Sequence, residues 1–147
     1  MQVVYNYLAE TTRYVSIQLG IGGLQPIAAS DVGRAGFGDC KGLSNYTHAM
    51  LKELGIPSVY TVISTDNERL LPDFSSDDQM NHAILQVPLP EDTLWLECTN
   101  PQLPFGYVHS GIAGHDALLI TKEGGIMCRL PSYPDSLNTQ TTSASVP

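Results

Sequence analysis

The sequence predicts one α+β domain in which helices come first, one of them carrying a cysteine at its start, and the later strands pair as antiparallel hairpins. Three observations predict it. Leu43, Tyr46, Met50, Leu51 and Leu54 recur at helical spacing behind Asp39. The run from Ser58 to Thr65 is β-branched and aromatic. Two further pairs of strand-like segments, 81–87 with 93–99 and 115–120 with 126–130, are each joined by a short turn-forming connection. A length of 147 residues suits a single core.

Taken in order, Val3, Val4, Tyr7 and Leu8 are spaced by three and four residues and predict a first helix reaching about Arg13. Gly20, Gly22, Gly23 and Pro26 then break regular structure, leaving a loop to Gly38 with one short helical turn around Ala28 to Gly33. Asp39 is placed to cap the next helix, Cys40 falls in its first turn, and Gly55 with Pro57 ends it. The stretch from Asp66 to Met80 is acidic and loop-like. If Pro88 to Glu91 form the following turn, antiparallel counting sets Val87 opposite Asp92, Ile84 opposite Trp95 and His82 opposite Glu97. The second hairpin turns around Lys122 to Gly125, and from Ser132 the composition is that of a polar linker or disordered tail. The domain is therefore expected over residues 1–131 and the tail over 132–147.

Composition narrows the function classes. Seven Lys and Arg against fifteen Asp and Glu leave a formal net charge of −8, and no basic run is present, which argues against nucleic acid as a partner. No apolar stretch reaches the eighteen or more residues that a membrane-spanning helix needs. Met1 leads almost directly into the first helix without a basic leader, as in a domain cut from a longer chain. Cys40, Cys98 and Cys128 are odd in number and widely spaced, so neither a disulfide framework nor a zinc finger is suggested.

The chemistry centres on Gly38-Asp39-Cys40-Lys41-Gly42. The free N–H groups and dipole of a helix N-terminus stabilise a thiolate, which is the nucleophilic form of cysteine. The flanking glycines would leave room for substrate, and the Cys40 N–H is available to an oxyanion. His82 on a predicted strand with Glu97 across from it supplies a base and a carboxylate to orient it. Cys40 alone would read as a buried structural thiol, and His48, His109 and His115 as ordinary surface or core histidines. The combination of Cys40, His82 and Glu97 is more specific than any one of them. A side-chain donor for the oxyanion is open between Gln18, Gln25 and other upstream residues.

Five segments together resemble the bacterial transglutaminase-like superfamily. They are Arg13-Tyr14-Val15, Gly38-Asp39-Cys40-Lys41-Gly42, Leu51-Lys52-Glu53-Leu54-Gly55-Ile56-Pro57, Asn81-His82-Ala83 and Trp95-Leu96-Glu97-Cys98-Thr99. The resemblance implies a papain-like α+β architecture, with the nucleophile helix packed on an antiparallel sheet. It implies Cys40 as nucleophile, His82 as general base and then acid, and Glu97 where the family usually has Asp; Cys98 replaces the usual proline. It implies hydrolysis or transfer of peptide or glutamine-type amides through a Cys40 thioester, with a peptide or protein substrate and no cofactor. It also implies flanking domains in a longer protein outside the cytoplasm.

Two other readings stand beside it. One is a binding or scaffold module of the same fold without turnover, to which Glu97-Cys98 points, with Tyr60, Trp95, Phe105 and Tyr107 lining a peptide groove or filling the core. The other makes Cys40, His82 and Cys98 zinc ligands.

Overall fold

A computed structural model of the protein describes residues 1–100, 102–134, 136 and 139–145. Helix α1 spans Gln2–Thr11 and turns Val4, Tyr5 and Leu8 inward. Val3 and Tyr7, expected on that apolar face, are exposed instead, so the buried stripe is displaced by one residue. A two-residue strand β1, Arg13–Tyr14, pairs in parallel with β2, Phe37–Gly38. Short helix α2, Ala29–Ala35, lies between them and ends on Gly36 in the left-handed region, φ +68°. The β1 and β2 ladder is too short for any periodicity to announce. It holds the backbone immediately before Asp39: the Val15 N–H donates to the Gly38 carbonyl at 2.9 Å.

Helix α3 spans Cys40–Glu53 with Asp39 as its N-cap, as the sequence predicts. Leu43 and Leu51 are fully buried, Tyr46 and Met50 pack at the edge of the same cluster, and Leu54 is 61% exposed just past the last turn. The strands are β3 Val59–Ile63, β4 His82–Pro88, β5 Thr93–Leu96, β6 Asp116–Thr121 and β7 Gly124–Arg129. They form one antiparallel sheet in the order β5-β4-β3-β6-β7. Mixed helices and an antiparallel sheet, with α3 laid on β4 and β3, make this the α+β architecture expected.

Alternation along the strands divides the core in two. Leu85, Val87 and Leu96 face α1 and α3 with Leu43, Leu51 and Cys98. Ile63, Ile84, Trp95, Ala117 and Leu119 face the other way, under Val108, Ile112 and Leu130. Burial of a side chain of this size is worth roughly 1.5–3 kcal/mol, so both layers contribute substantially to holding the sheet between its coverings. The acidic loop is as expected except for one 3₁₀ turn, Asp77–Gln79.

The β4–β5 hairpin differs from the expected register by two residues. Pro88 remains in the strand opposite Thr93, and the connection is Leu89–Asp92, closed by the Leu89 N–H donating to the Asp92 carbonyl at 3.0 Å. Proline is tolerated at a strand end, where the ladder does not require its missing N–H. Moving the four-residue loop by one position shifts every cross-strand pair by two, so Trp95 sits opposite Gln86 and Leu96 opposite Leu85. A two-residue slip keeps each side chain on its own face. The second hairpin turns more tightly than expected, through Lys122 and Glu123 alone, with Gly124 at φ +128° already paired to Thr121.

The tail expected over 132–147 falls partly outside the described residues, at 135, 137, 138, 146 and 147. Within the described part, Tyr133 stacks on Tyr107 with centroids 5.6 Å apart, and its hydroxyl accepts the Val108 N–H at 3.3 Å. Among the described residues no helix is long and apolar enough to cross a membrane.

Candidate active site

Cys40 is the first residue of α3 and is held there by its neighbour. Asp39 is buried and extended, and its Oδ1 accepts the Gly42 N–H at 2.9 Å, a side-chain N-cap. Its Oδ2 is ion-paired with Lys41, so the cap's negative charge is met within two residues of the thiol. The Cys40 N–H, in the first turn, has no partner inside the helix. The flanking glycines do something other than clear a path for substrate. A Cβ on Gly38 would press on the Leu43 backbone nitrogen at 3.3 Å, and one on Gly42 would meet Ile27 and Val32 at 3.5 Å. Both allow the helix start to pack closely, and neither lines the cleft.

His82 opens β4. Its Nε2 lies 2.8 Å from Glu97 Oε2, and the residue lines the same cleft as Cys40. The helix and strand that carry them are tied directly: Ser44 Oγ on α3 donates to the Ala83 carbonyl on β4 at 3.0 Å. Burial disfavours charge on His82. Its interactions with the Cys40 and Glu97 side chains outweigh that and raise its pKa to about 9.

Glu97 lies one residue past β5, on the face shared by Trp95 and His82. Burial alone would raise its pKa; hydrogen bonding and charge from His82, together with the Thr99 bonds, bring it below the usual carboxylate value. Thr99 donates to Oε1 twice, from its N–H at 2.9 Å and its hydroxyl at 2.6 Å. Tyr5 of α1 donates its hydroxyl to the Glu97 carbonyl at 2.9 Å. Of the expected set, His82 and Glu97 are hydrogen-bonded to each other, and Cys40 lines the same cleft as His82.

Sequence reasoning missed three contributors here. Thr99 follows the acid by two residues, a spacing at which a hydroxyl commonly bonds back to a local acceptor, and that was the available signal. His109 reaches Glu97 Oε2 at 3.8 Å from a loop whose path no periodicity reveals, and its own Nδ1 accepts the Gly111 N–H at 3.2 Å. Tyr5 depends on how α1 docks. Cys98, weighed as a zinc ligand, is fully buried beside Thr47 and Ser44, and burial pushes its thiol up to about 12. Among the described residues no three His, Cys, Asp or Glu side chains are arranged to hold a metal ion.

The chain opens on a cleft of about 570 Å³. Cys40 and His82 lie at its base, Tyr60, Val62, Leu118 and Ile120 form its apolar floor on the exposed stretch of sheet, and Asp77 and Asp78 stand at its rim. Gln18 lines it and Gln25 does not.

A helix-borne cysteine facing a strand-borne histidine and acid defines a class of papain-like cysteine domains. The chain belongs to the transglutaminase-like superfamily, whose family model matches residues 1–99. Its fold is similar to that of a "putative protease" from Parabacteroides distasonis ATCC 8503, with a TM-score of 0.68 at 13% identity over 90% of this chain. The alignment covers 24% of that longer protein. Comparison with curated proteins found no match.

Proposed function

We propose that this domain is a cysteine acyl-transfer enzyme acting on peptide or protein amides, with hydrolysis as its ordinary outcome. The observation that carries the reading is the His82–Glu97 hydrogen bond at 2.8 Å, with His82 and Cys40 lining one cleft. Cys40 as thiolate attacks the amide carbonyl while His82 holds the proton as imidazolium, stabilised by Glu97. The tetrahedral intermediate collapses, the C–N bond breaks, and the departing amine takes the proton from His82. Water then attacks the thioester, giving its proton to His82, and the C–S bond breaks to restore the thiolate. An amine in place of water would give transamidation by the same steps.

Glu97 supports activity here despite being longer than Asp, because its two oxygens divide the work: Oε2 reaches His82 and Oε1 is fixed by Thr99. Operation outside the cytoplasm, within a longer multidomain protein, is part of this proposal and follows the family resemblance.

The test is alkylation by iodoacetamide from pH 5 to 9, read by peptide mass spectrometry. Cys40 is expected to react at pH 6 faster than Cys128, with Cys98 protected by burial. His82→Ala should slow Cys40 at that pH by at least about tenfold, and Glu97→Ala by less. If Cys40 reacts only as pH becomes alkaline, identically in all three proteins, the enzyme reading is wrong and the domain is a peptide-binding relative.

A further inference from the structure

An amide carbonyl attacked by Cys40 becomes an oxyanion, and a buried site needs two preorganised donors to hold it. One is the Cys40 N–H. The second can be sought among the donor-bearing side chains of the cleft: Gln18, Lys41, Tyr60, Asn81 and His82. Gln18 has its amide N–H on Ser16 Oγ at 3.2 Å and is solvent-exposed. Lys41 is ion-paired to Asp39. Asn81 donates to Asp66 at 2.8 Å while its carbonyl accepts from Thr65 at 2.9 Å. His82 is engaged with Cys40 and Glu97. The other four each already hold a protein partner, whereas among the described residues the Tyr60 hydroxyl donates to no protein acceptor.

Tyr60 also lines the same cleft as Cys40. It lies on β3 between Leu85 of β4 and Ile120 of β6, and packs against the cluster beneath α1 and α3. Its ring is therefore fixed by rigid elements, which is what preorganisation asks of such a donor. We propose that the Tyr60 hydroxyl is the second donor of the oxyanion hole, acting with the Cys40 N–H. The assignment rests on the acyl-transfer reading. Burial, with Cys40 and Asp39 nearby, keeps the phenol protonated well beyond its ordinary range, so it remains a donor across working pH.

In the step concerned, the Cys40 thiolate forms a C–S bond to the carbonyl carbon and the π pair moves onto oxygen, between Tyr60 Oη and the Cys40 N–H. Collapse restores C=O and expels the leaving group, which takes the His82 proton when it is an amine. Alkylation by iodoacetamide displaces iodide at a saturated carbon and forms no oxyanion. The two reactions therefore separate a donor from a group that tunes the thiolate.

The experiment compares acylation of Cys40 by p-nitrophenyl acetate, followed by nitrophenolate release, with alkylation by iodoacetamide in wild type, Tyr60→Phe and Gln18→Ala. Tyr60→Phe is expected to slow acylation about a hundredfold and leave alkylation within about twofold, a larger loss of acylation than Gln18→Ala gives. Unchanged acylation in Tyr60→Phe, or a defect appearing in Gln18→Ala instead, would overturn the assignment. Equal loss of both reactions would overturn it too, since Tyr60 would then be supporting the ion pair or the fold. A wild-type Cys40 that is alkylated but never acylated would reject acyl transfer itself, and the Tyr60 role with it.

Discussion

The carboxylate of Glu97 reaches His82 with one oxygen because Thr99 occupies the other. Removing the Thr99 hydroxyl leaves Oε1 with a single bond, at a cost of about 1–2 kcal/mol for a charge-assisted hydrogen bond, and lets the longer Glu side chain choose other rotamers. Thr99→Ala is accordingly expected to slow Cys40 acylation by p-nitrophenyl acetate several-fold, with Thr99→Ser restoring the rate because Ser keeps the hydroxyl. A rate unaffected in Thr99→Ala would show that His82 alone fixes the acid. At this scale the sequence was informative about the reacting groups and poor about their supports. Cys40, His82 and Glu97 sit in motifs whose residue types state their chemistry. Thr99, Tyr60 and His109 acquire theirs only from register, strand order and a loop path, none of which a local pattern encodes. The glycines beside Cys40 were legible as glycines and misread in purpose, since the space they save is taken by Leu43, Ile27 and Val32.

Helix α3 places the thiol only as firmly as it is seated on the sheet. Leu51, one turn from the far end of the helix, is completely buried against the α1-side core. Leu51→Ala should cost about 2–5 kcal/mol through lost burial and an unfilled cavity, measured by urea unfolding, and loosen the helix that carries Cys40. A cost below about 1 kcal/mol would mean that the Ser44–Ala83 bond and the N-cap seat the helix without it. The strands show which part of an element is readable. Strand-like segments joined by a short connection predicted β4 and β5, and antiparallel counting set His82 and Glu97 on one face, which survived. Their exact opposition did not, because Pro88 was counted as a turn residue although it closes the ladder. The error was even, and parity is all that bringing an imidazole and a carboxylate to one face requires. The β1 and β2 pair was invisible at two residues each, yet it sets the approach to Asp39.

The whole molecule should record its ion pair in its response to pH. His82, raised to about 9, binds its proton more tightly folded than unfolded. Its stabilising contribution is complete below its ordinary value of 6.5 and is lost as pH rises through about 9. Glu97, held below its ordinary 4.5, contributes fully above that value and loses the contribution as pH falls through its lowered one. Tyr5 and Cys98, each pushed up to about 12 chiefly by burial, add to the alkaline loss. Maximum stability from these groups therefore falls between about pH 4.5 and 6.5. Thermal melts from pH 3 to 10 should show it, with the slope between 6.5 and 9 flattened in His82→Gln. A wild-type Tm still rising from pH 6.5 to 9 would contradict an imidazolium in the folded state.

The bond from the Tyr5 hydroxyl to the Glu97 carbonyl joins residues 92 positions apart, and that span has a consequence for the chain while it is being made. Cys40 leaves the ribosome with its helix more than fifty residues ahead of the carboxylate that completes the site. Through that interval the thiol first lacks its imidazole and then, over the last fifteen residues, the imidazole lacks its acid, while α1 has no segment to clamp. Assembly of Cys40, His82 and Glu97 is thereby deferred to a late moment of synthesis, when the β4–β5 hairpin has emerged and the earliest helix can close over its far end.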